Sequence, residues 1–217
     1  GSWRRCASRP TSCCSSIGGR PIHAYAAGRG PTAALVHGGI HGDEPGAVLA
    51  AERLLAALQQ IPDLPRVVVV PAVNPDGLAA GTKDNARGVD LNRNFPSKNF
   101  TAAHRPGYAP GPHPLSEPET QALAALLAAE RPTRIVALHQ PFRCVNWDGP
   151  AEALAARMAA ACGWPAVADI GYPTPGSFGS CYGVDAGLPV ITLELPGPAT
   201  EDDLAAALRA LLVACEP

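Results

Sequence analysis

The sequence of 217 residues lacks several features that define specialised classes of protein. It contains no apolar run close to the roughly 20 residues that a membrane-spanning helix requires, so we expect no membrane association. Its formal net charge of −2 leaves no basic field, which argues against a nucleic-acid partner. Internal repeats and low-complexity blocks are also missing. The length and composition are those of one globular domain with a full hydrophobic core.

Closely spaced cysteine pairs are missing as well. The seven cysteines are an odd number, and none of them forms a CxxC motif. Cys6, Cys13 and Cys14 lie near the start of the chain, and the other four are scattered. The first twenty residues hold no apolar stretch of the length that a secretory signal needs. We therefore predict reduced thiols and a cytoplasmic location.

Apolar periodicity predicts an alternation of strands and helices. We expect an N-terminal arm or edge segment over residues 1–20 and a single domain over residues 21–217. Predicted strands cover 22–26, 33–37, 67–70, 134–138 and 190–195. Predicted helices cover 45–60, 116–130, 150–162 and 201–214. Several strands are apolar on both faces, as in a parallel sheet. The sequence therefore predicts an α/β fold with a mixed, mostly parallel central sheet and helices on both faces.

Residues 71–116 contain many loop-forming residues and are predicted to form one long loop, which in a compact domain is usually functional. Within it, Asn74-Pro75-Asp76-Gly77 has the composition of a turn. At its end, Ser116 is placed to cap the next helix, and Glu119 would complete a capping box.

A glycine-rich turn after the strand at 33–37 carries His41 and Glu44, three positions apart. An imidazole and a carboxylate at that spacing can face one ion, and nitrogen and oxygen ligands without a thiolate suit a catalytic zinc. The simpler interpretation is a turn with an exposed histidine and glutamate. His139, at the end of the strand at 134–138, is the candidate third ligand, because ligands of open α/β sheets bind at the carboxyl ends of strands. Its alternative is a strand-end histidine bonded to backbone.

Glu194 is a carboxylate in the otherwise apolar strand Ile191-Thr192-Leu193-Glu194-Leu195. Burying a charge is costly unless the charge has a partner or a function. We predict a general base that activates water, with a buried ion pair to an arginine as the alternative.

The segment from Asp90 to Asn94 is rich in polar side chains. If it is extended, alternation separates Asp90, Asn92 and Asn94 from Leu91 and Arg93. Arg93 offers a planar fork that matches a carboxylate, with Asn92 as a further donor, unless it forms a salt bridge within the loop. Asp90 could support a histidine ligand through the second ring nitrogen.

Six motifs in a fixed order resemble the zinc carboxypeptidases of the carboxypeptidase A-like fold, and within them the murein tripeptide amidase branch. These motifs, HGDE, NPDG, VDLNRNFP, SEPET, LHQP and ITLELP, extend over residues 37–196. The resemblance makes residues 21–217 a catalytic domain with one zinc ion per chain. It places the zinc on His41, Glu44 and His139 and makes Glu194 the general base.

The resemblance also implies a substrate-binding set. It assigns the substrate's terminal carboxylate to Asn92 and Arg93 and the support of a zinc ligand to Asp90. The family's arginine that polarises the scissile carbonyl has two candidate counterparts here, because Lys83 occupies its position and Arg87 stands next to Gly88. The family's pocket tyrosine corresponds to Tyr172 or Tyr182, which both precede Glu194.

The implied reaction is hydrolysis of the bond between γ-D-glutamate and meso-diaminopimelate in cell-wall peptides during recycling. The substrate would be a small peptide with a free C-terminal carboxylate, and the enzyme a monomer or homodimer. One alternative is a deacylase of the aspartoacylase and succinylglutamate desuccinylase branch, which shares the HGxE and DLNR segments. Another is a non-catalytic zinc- or peptide-binding domain, which would not need a general base such as Glu194.

Overall fold

The computed structural model describes Pro10 and residues 12–216. One sheet contains eight strands: β1 (Ser12–Ser15), β2 (Pro21–Ala27), β3 (Arg29–His37), β4 (Pro65–Val70), β5 (Arg134–His139), β6 (Phe142–Asp148), β7 (Ala166–Val167) and β8 (Val190–Pro196). The helices are α1 (Pro45–Leu58), α2 (Pro75–Ala80), α3 (Pro118–Glu130), α4 (Glu152–Cys162) and α5 (Glu201–Cys215). A short 3₁₀ turn, Leu91–Arg93, and a π-helical segment, Gly179–Asp185, complete the regular structure of this part of the chain.

The strand order is β1-β2-β4-β3-β5-β8-β6-β7. The four central strands β4, β3, β5 and β8 are parallel, whereas β2 and β6 join them antiparallel on either side. The predicted α/β fold with a mixed sheet is confirmed. Because β3, β5 and β8 run in the same direction, their carboxyl ends lie along one edge of the sheet, and this edge positions the site described below.

Two apolar layers cover the two faces of the sheet. Neighbouring residues of β3 divide between them: Val36 faces the layer formed by α1, α4 and α5, and Leu35 faces the layer that includes α3. Met158 and Leu123 are buried members of these two layers. This two-sided burial explains why the central strands are continuously apolar in the sequence.

The segment at 71–116 is more regular than predicted. Asn74 does not form a simple turn but begins α2, because its side chain accepts a hydrogen bond from the Gly77 amide at 2.9 Å. The segment around Asn92 is not extended, so the alternation considered for an extended segment does not apply. Asp90 accepts from the Asn92 amide at 3.0 Å and starts the 3₁₀ turn, so Asn92 and Arg93 both reach the same cavity.

The predicted capping box at α3 does not form. Glu117 precedes the helix, and the Ser116 hydroxyl donates to the Glu117 carboxylate at 2.8 Å instead of capping. The carboxylate of Glu119 is buried and accepts from the Ile17 amide at 2.9 Å. A contact between residues so far apart in sequence outweighed the local pattern.

The sequence-based prediction missed β6, β7 and the π-helical segment. It placed an arm or edge segment over residues 1–20, and of these Ser12–Ser15 form the edge strand β1, while residues 1–9 and 11 lie outside the described residues. Within the part of the chain that the structure describes, no helix combines the length and apolarity needed to cross a bilayer. Four cysteines there are buried free thiols, namely Cys144, Cys162, Cys181 and Cys215.

Candidate active site

A cavity of about 420 Å³ opens at the carboxyl ends of β3, β5 and β8. His139 ends β5 and lies directly opposite Glu194 in the register of β5 and β8. The turn after β3 brings His41 and Glu44 to the same edge. The candidate residues that line the cavity are His41, Glu44, Lys83, Asn92, Arg93, His139, Tyr172 and Glu194. The topology thus brings together groups that are far apart in the sequence.

The carboxylate of Glu44 lies between two imidazoles. Its Oε1 is 2.8 Å from Nδ1 of His41, and its Oε2 is 3.1 Å from Nδ1 of His139. The three residues are buried or nearly so, and one ligand atom from each lies within 4.8 Å of the other two. Two imidazole nitrogens and a carboxylate are a donor set that suits zinc with one position left open.

Local geometry explains the position of Glu44. It directly precedes α1, but its side chain makes no capping hydrogen bond to that helix, because it turns towards the two histidines. The turn packs tightly, since a Cβ at Gly42 would lie 1.9 Å from the backbone carbon of Gly77. Only glycine allows the turn to lie this close to α2.

Asp90 holds the other side of His41. Its fully buried carboxylate has Oδ1 at 3.1 Å from Nε2 of His41 and Oδ2 at 2.5 Å from Nζ of Lys83. With Asp90 accepting at Nε2, Nδ1 of His41 is the nitrogen that faces Glu44. Burial lowers the pKa of His41, but hydrogen bonds to Asp90 and Glu44 outweigh burial and raise it to about 9. The two carboxylates therefore favour positive charge at this place.

The pKa of Glu44 shows the same preference. Burial raises it, but the charge and hydrogen bond of His139, with the contacts of His41, lower it to about 2. The carboxylate thus stays ionised between the two rings. A cation bound by all three donors would therefore be stabilised by the ionised carboxylate of Glu44.

Glu194 lies in the cavity wall beside His139 and is 5% exposed. Among the described residues no arginine or lysine pairs with it, so the alternative of a buried ion pair has no support there. Its nearest donor is the Phe142 amide, 3.5 Å from Oε2. Burial raises the pKa of Glu194. A carboxylate in this position can take up and release a proton within the cavity.

The structure distinguishes between the two candidate cations. Lys83 lines the cavity, and its ammonium donates to Asp90 and to the Gly107 carbonyl at 2.7 Å. Arg87 lies outside the cavity, with Nη1 3.7 Å from the Glu117 carboxylate. Of these two residues, only Lys83 lines the cavity.

Arg93 and Asn92 form the polar wall on the side of the 3₁₀ turn. Arg93 is 5% exposed, donates to the Asn92 carbonyl at 2.6 Å and has no carboxylate partner among the described residues. The Asn92 side chain accepts from the Phe178 amide at 2.9 Å, which directs its NH₂ group away from that contact. A buried guanidinium that forms no ion pair of its own is suited to bind an anionic group that enters the cavity.

The two candidate tyrosines occupy different places. Tyr172 lines the cavity. Tyr182 packs against Phe95 and Phe178, with ring centroids 5.9 and 4.7 Å apart, and belongs to the apolar layer of α3.

Several residues that line the cavity were not predicted, among them Tyr108, Asn146 and Asp148. Asn146 and Asp148 lie on β6, where Phe142 to Asp148 alternate between the two faces of the strand. This alternation was a usable signal for a strand. Tyr108, whose ring lies 3.8 Å from the Lys83 ammonium, carried no such signal.

Comparison with known proteins agrees with this geometry. Residues 7–149 match the family model described as zinc carboxypeptidase. Murein peptide amidase A of Escherichia coli (strain K12) is 40% identical over 181 residues, which cover 78% of this chain and 73% of the relative. The Vibrio campbellii protein of the same name is 35% identical over 202 residues, or 86% and 79% of the two chains.

Among solved structures, murein-tripeptide amidase MpaA from Escherichia coli O157 superposes with a TM-score of 0.81 at 36% identity, covering 99% of this chain and 98% of that one. The family model covers well over half of the chain, and the relatives match across most of their own length. This chain therefore belongs to the zinc carboxypeptidase family.

Proposed function

We propose that this protein is a zinc-dependent amidase that hydrolyses the bond between γ-D-glutamate and meso-diaminopimelate in murein tripeptide. The observation that carries the proposal is the cavity in which the His41–Glu44–His139 cluster, Glu194 and Arg93 meet. The names of the relatives support the choice of substrate. In this proposal the enzyme acts in the cytoplasm, as a monomer or homodimer, on peptides released from the cell wall.

His41, Glu44 and His139 would hold one zinc ion. Their donor atoms fit it, because they converge within 4.8 Å and the surrounding carboxylates favour positive charge. Zinc supplies Lewis acidity, which lowers the pKa of water to about 7 and polarises a carbonyl group. Asp90 positions His41 through its second ring nitrogen.

Glu194 moves the proton. It accepts a proton from the attacking water and then delivers it to the amide nitrogen of the leaving diaminopimelate. Burial raises the pKa of Glu194, so its proton affinity is closer to that of the groups with which it exchanges the proton. Glu194 lies opposite His139 in the sheet, and in this proposal the reacting carbonyl binds beside both residues.

Two groups of cationic and polar side chains bind the substrate. Arg93 and the NH₂ group of Asn92 bind the terminal carboxylate and set the position of the scissile bond. The ammonium of Lys83 stabilises the oxyanion that forms at the carbonyl, as a point charge without the fork of an arginine. Tyr172 lines the cavity close to these groups and is the candidate pocket tyrosine, whereas Tyr182 supports the cavity from the apolar layer.

Replacing Arg93 with alanine should lower kcat/KM for the free acid about 100-fold, because a charged hydrogen-bonding pair is lost and the scissile bond is misplaced. Amidating the terminal carboxylate of the substrate should cost the wild type a similar factor. The Arg93→Ala variant should barely distinguish the acid from the amide. Steady-state kinetics of both proteins on both substrates measure this coupling.

Arg87→Ala is the matched control for Arg93→Ala, because its guanidinium lies outside the cavity. It should leave kcat/KM near the wild-type value. A wild type that ignores amidation would contradict the role of Arg93. A large loss of kcat/KM in Arg87→Ala would indicate that Arg87, and not Lys83, polarises the carbonyl.

An assay with three substrates tests the proposed reaction. They are L-Ala-γ-D-Glu-meso-diaminopimelate, an α-linked peptide with an apolar C-terminal residue, and N-acetyl-aspartate. We expect a marked preference in kcat/KM for the tripeptide. Preference for the α-linked peptide would make the protein an ordinary carboxypeptidase, and preference for N-acetyl-aspartate would place it in the deacylase branch. No hydrolysis by the zinc-bound protein would favour a binding domain.

A further inference from the structure

A second groove opens beside the catalytic cavity and carries positive charge that the proposed chemistry does not use. Its volume is about 400 Å³, and Arg93 and Tyr108 line both the groove and the cavity. The other ionisable side chains that line it are those of His104 and Arg105, and none of its described lining residues is an aspartate or a glutamate. An anionic group that enters the groove would therefore meet only neutral and positively charged side chains.

Arg105 lies at the border between the groove and the cavity. Its guanidinium carbon is 3.9 Å from the centre of the Tyr108 ring and 5.6 Å from the centre of the ring of Tyr172, which lines the cavity. The residue is exposed, and its guanidinium has no carboxylate partner among the described residues. Stacking on a ring holds the plane of a guanidinium and leaves its N–H donors free. Arg105 is therefore oriented, charged and available to an anionic ligand.

The Tyr108 ring also sets the distance between Arg105 and the site of reaction. The ammonium of Lys83 lies 3.8 Å from the centre of the same ring. On one face of the ring, two cations at this height would be in contact and would repel each other, so the ring lies between them. The two cations are then about 7 Å apart, which is twice the van der Waals spacing of roughly 3.5 Å. Because Lys83 contacts the scissile carbonyl in the proposed reaction, Arg105 is within reach of a neighbouring group of the substrate.

We propose that Arg105 binds the α-carboxylate of the γ-linked glutamyl residue and so favours substrates in which this carboxylate is free. The inference rests on the proposed function, since it concerns the residue on the acyl side of the bond that is cleaved. A γ-linkage uses the side-chain carboxyl group of glutamate and leaves the α-carboxyl group ionised. Arg93 and Asn92 supply donors for the terminal carboxylate, so this second carboxylate is a substrate anion that the proposed chemistry leaves without a partner.

The length of a γ-glutamyl residue fits this arrangement. Four bonds join the scissile carbonyl carbon to the carbon of the α-carboxylate, and they span about 4 to 5 Å, depending on the torsion angles. The oxygens at both ends and their hydrogen bonds to Lys83 and Arg105 extend this reach to roughly 10 Å. This reach exceeds the separation of about 7 Å between the two cations, so the residue can contact both while it passes the edge of the Tyr108 ring.

The charge of Arg105 also acts inside the cavity. Burial raises the pKa of Tyr172, whereas the positive charges of Arg93 and Arg105 lower it. The Tyr172 hydroxyl therefore lies in the field of both guanidinium groups. Two guanidinium groups that act on one region can each pair with a carboxylate of the same substrate.

The experiment compares three forms of the tripeptide: L-Ala-γ-D-Glu-meso-diaminopimelate itself, the same peptide with D-isoglutamine in place of D-glutamate, and the peptide amidated at its terminal carboxylate. D-isoglutamine keeps the shape of the residue and removes the charge of its α-carboxylate. The wild type should favour glutamate over isoglutamine about 10-fold in kcat/KM, as expected for a charge-assisted hydrogen bond at a partly exposed site. Arg105→Gln should remove this preference by lowering kcat/KM for the glutamyl peptide, and it should keep the preference for a free terminal carboxylate.

Arg29→Gln is the matched control, because Arg29 is exposed and begins β3 at the amino end of the strand, away from the cavity. It should keep the wild-type ratio of glutamate to isoglutamine turnover. Tyr108→Leu should lower this ratio although Arg105 is present, because the guanidinium loses the ring that orients it. Raising the salt concentration should also weaken the wild-type preference, because exposed charges are screened.

An unchanged glutamate-to-isoglutamine ratio in Arg105→Gln would overturn the inference, as would a wild type that does not distinguish the two peptides. If Arg105→Gln instead lost the preference for a free terminal carboxylate, Arg105 would assist Arg93, and the assignment would be wrong. An equal loss on all three peptides would overturn it too, because Arg105 would then act on the fold or the chemistry.

Calorimetry with the dipeptides L-Ala-γ-D-Glu and L-Ala-γ-D-isoglutamine separates the two proposals. The zinc-bound wild type should bind the first about 10-fold more tightly than the second, and Arg105→Gln should bind both alike. If the wild type hydrolyses none of the tripeptides, the proposed function fails, while this difference in binding would still support Arg105 as the carboxylate site. Equal binding of the two dipeptides by the wild type would overturn the inference about Arg105 alone.

Discussion

Replacing Glu194 with glutamine should lower kcat by about 10²- to 10⁴-fold, the range typical of a lost general base. Glutamine keeps the shape of the side chain and its place opposite His139 but cannot take up the proton. Zinc content should stay unchanged, because Glu194 is not part of the cluster of ligand atoms. Stopped or continuous assays give kcat, and atomic absorption gives the zinc per chain.

The matched control for this variant is Glu152→Gln, an exposed glutamate in the first turn of α4. It should keep wild-type turnover. Near-normal turnover in Glu194→Gln would refute the role of Glu194 as the base. A variant that loses both turnover and zinc would show that Glu194 supports the metal site instead.

Replacing His41 or His139 with alanine should abolish stable zinc binding and, with it, activity. Each substitution removes one of three donors, and the remaining buried carboxylate of Glu44 would lose a partner that holds its charge. Asp90→Asn should have a smaller effect, about 10- to 100-fold in zinc affinity, because Asp90 orients His41 without binding the ion. Zinc titration with a chelator of known affinity ranks the variants.

His113→Ala is the control for the histidine substitutions, because His113 is exposed and its ring lies near the Pro114 carbonyl, away from the cavity. It should keep one zinc per chain. Full zinc occupancy in either His41→Ala or His139→Ala would contradict the assignment. An effect of Asp90→Asn as large as loss of a ligand would make Asp90 part of the binding site itself.

Much of the site follows from local patterns that one sequence contains. The apolar strands are buried on both faces, so their periodicity and their ends could be read directly, and the ends of parallel strands share an edge. The positions of these strand ends predict a single site for His41, Glu44, His139 and Glu194, and all four residues line the same cavity. Their chemical types then indicated zinc.

The sequence alone could not decide which cation and which tyrosine line the cavity, because both depend on contacts between distant segments. Lys83 and Arg87 are four residues apart, but the ammonium of Lys83 binds buried Asp90 at the cavity, whereas the guanidinium of Arg87 faces Glu117. The sequence did not distinguish Tyr172 from Tyr182 as the pocket tyrosine. In the structure, Tyr182 packs against Phe178 in the apolar layer. Short-range patterns do not encode such preferences, because each depends on a partner brought near by folding.

The sequence by itself determined the α/β class, the strand ends and the residue types of the proposed metal site, because these depend on periodicity and on chemistry that each segment carries alone. Only the tertiary structure decided that the Glu119 carboxylate accepts a hydrogen bond from the Ile17 amide instead of capping α3, and that β6 pairs with β8. The pairing of β6 with β8 places Asp148 in the cavity. The physical reason is that a long-range hydrogen bond or strand register forms only after distant segments meet, and its free energy then outweighs the local preference.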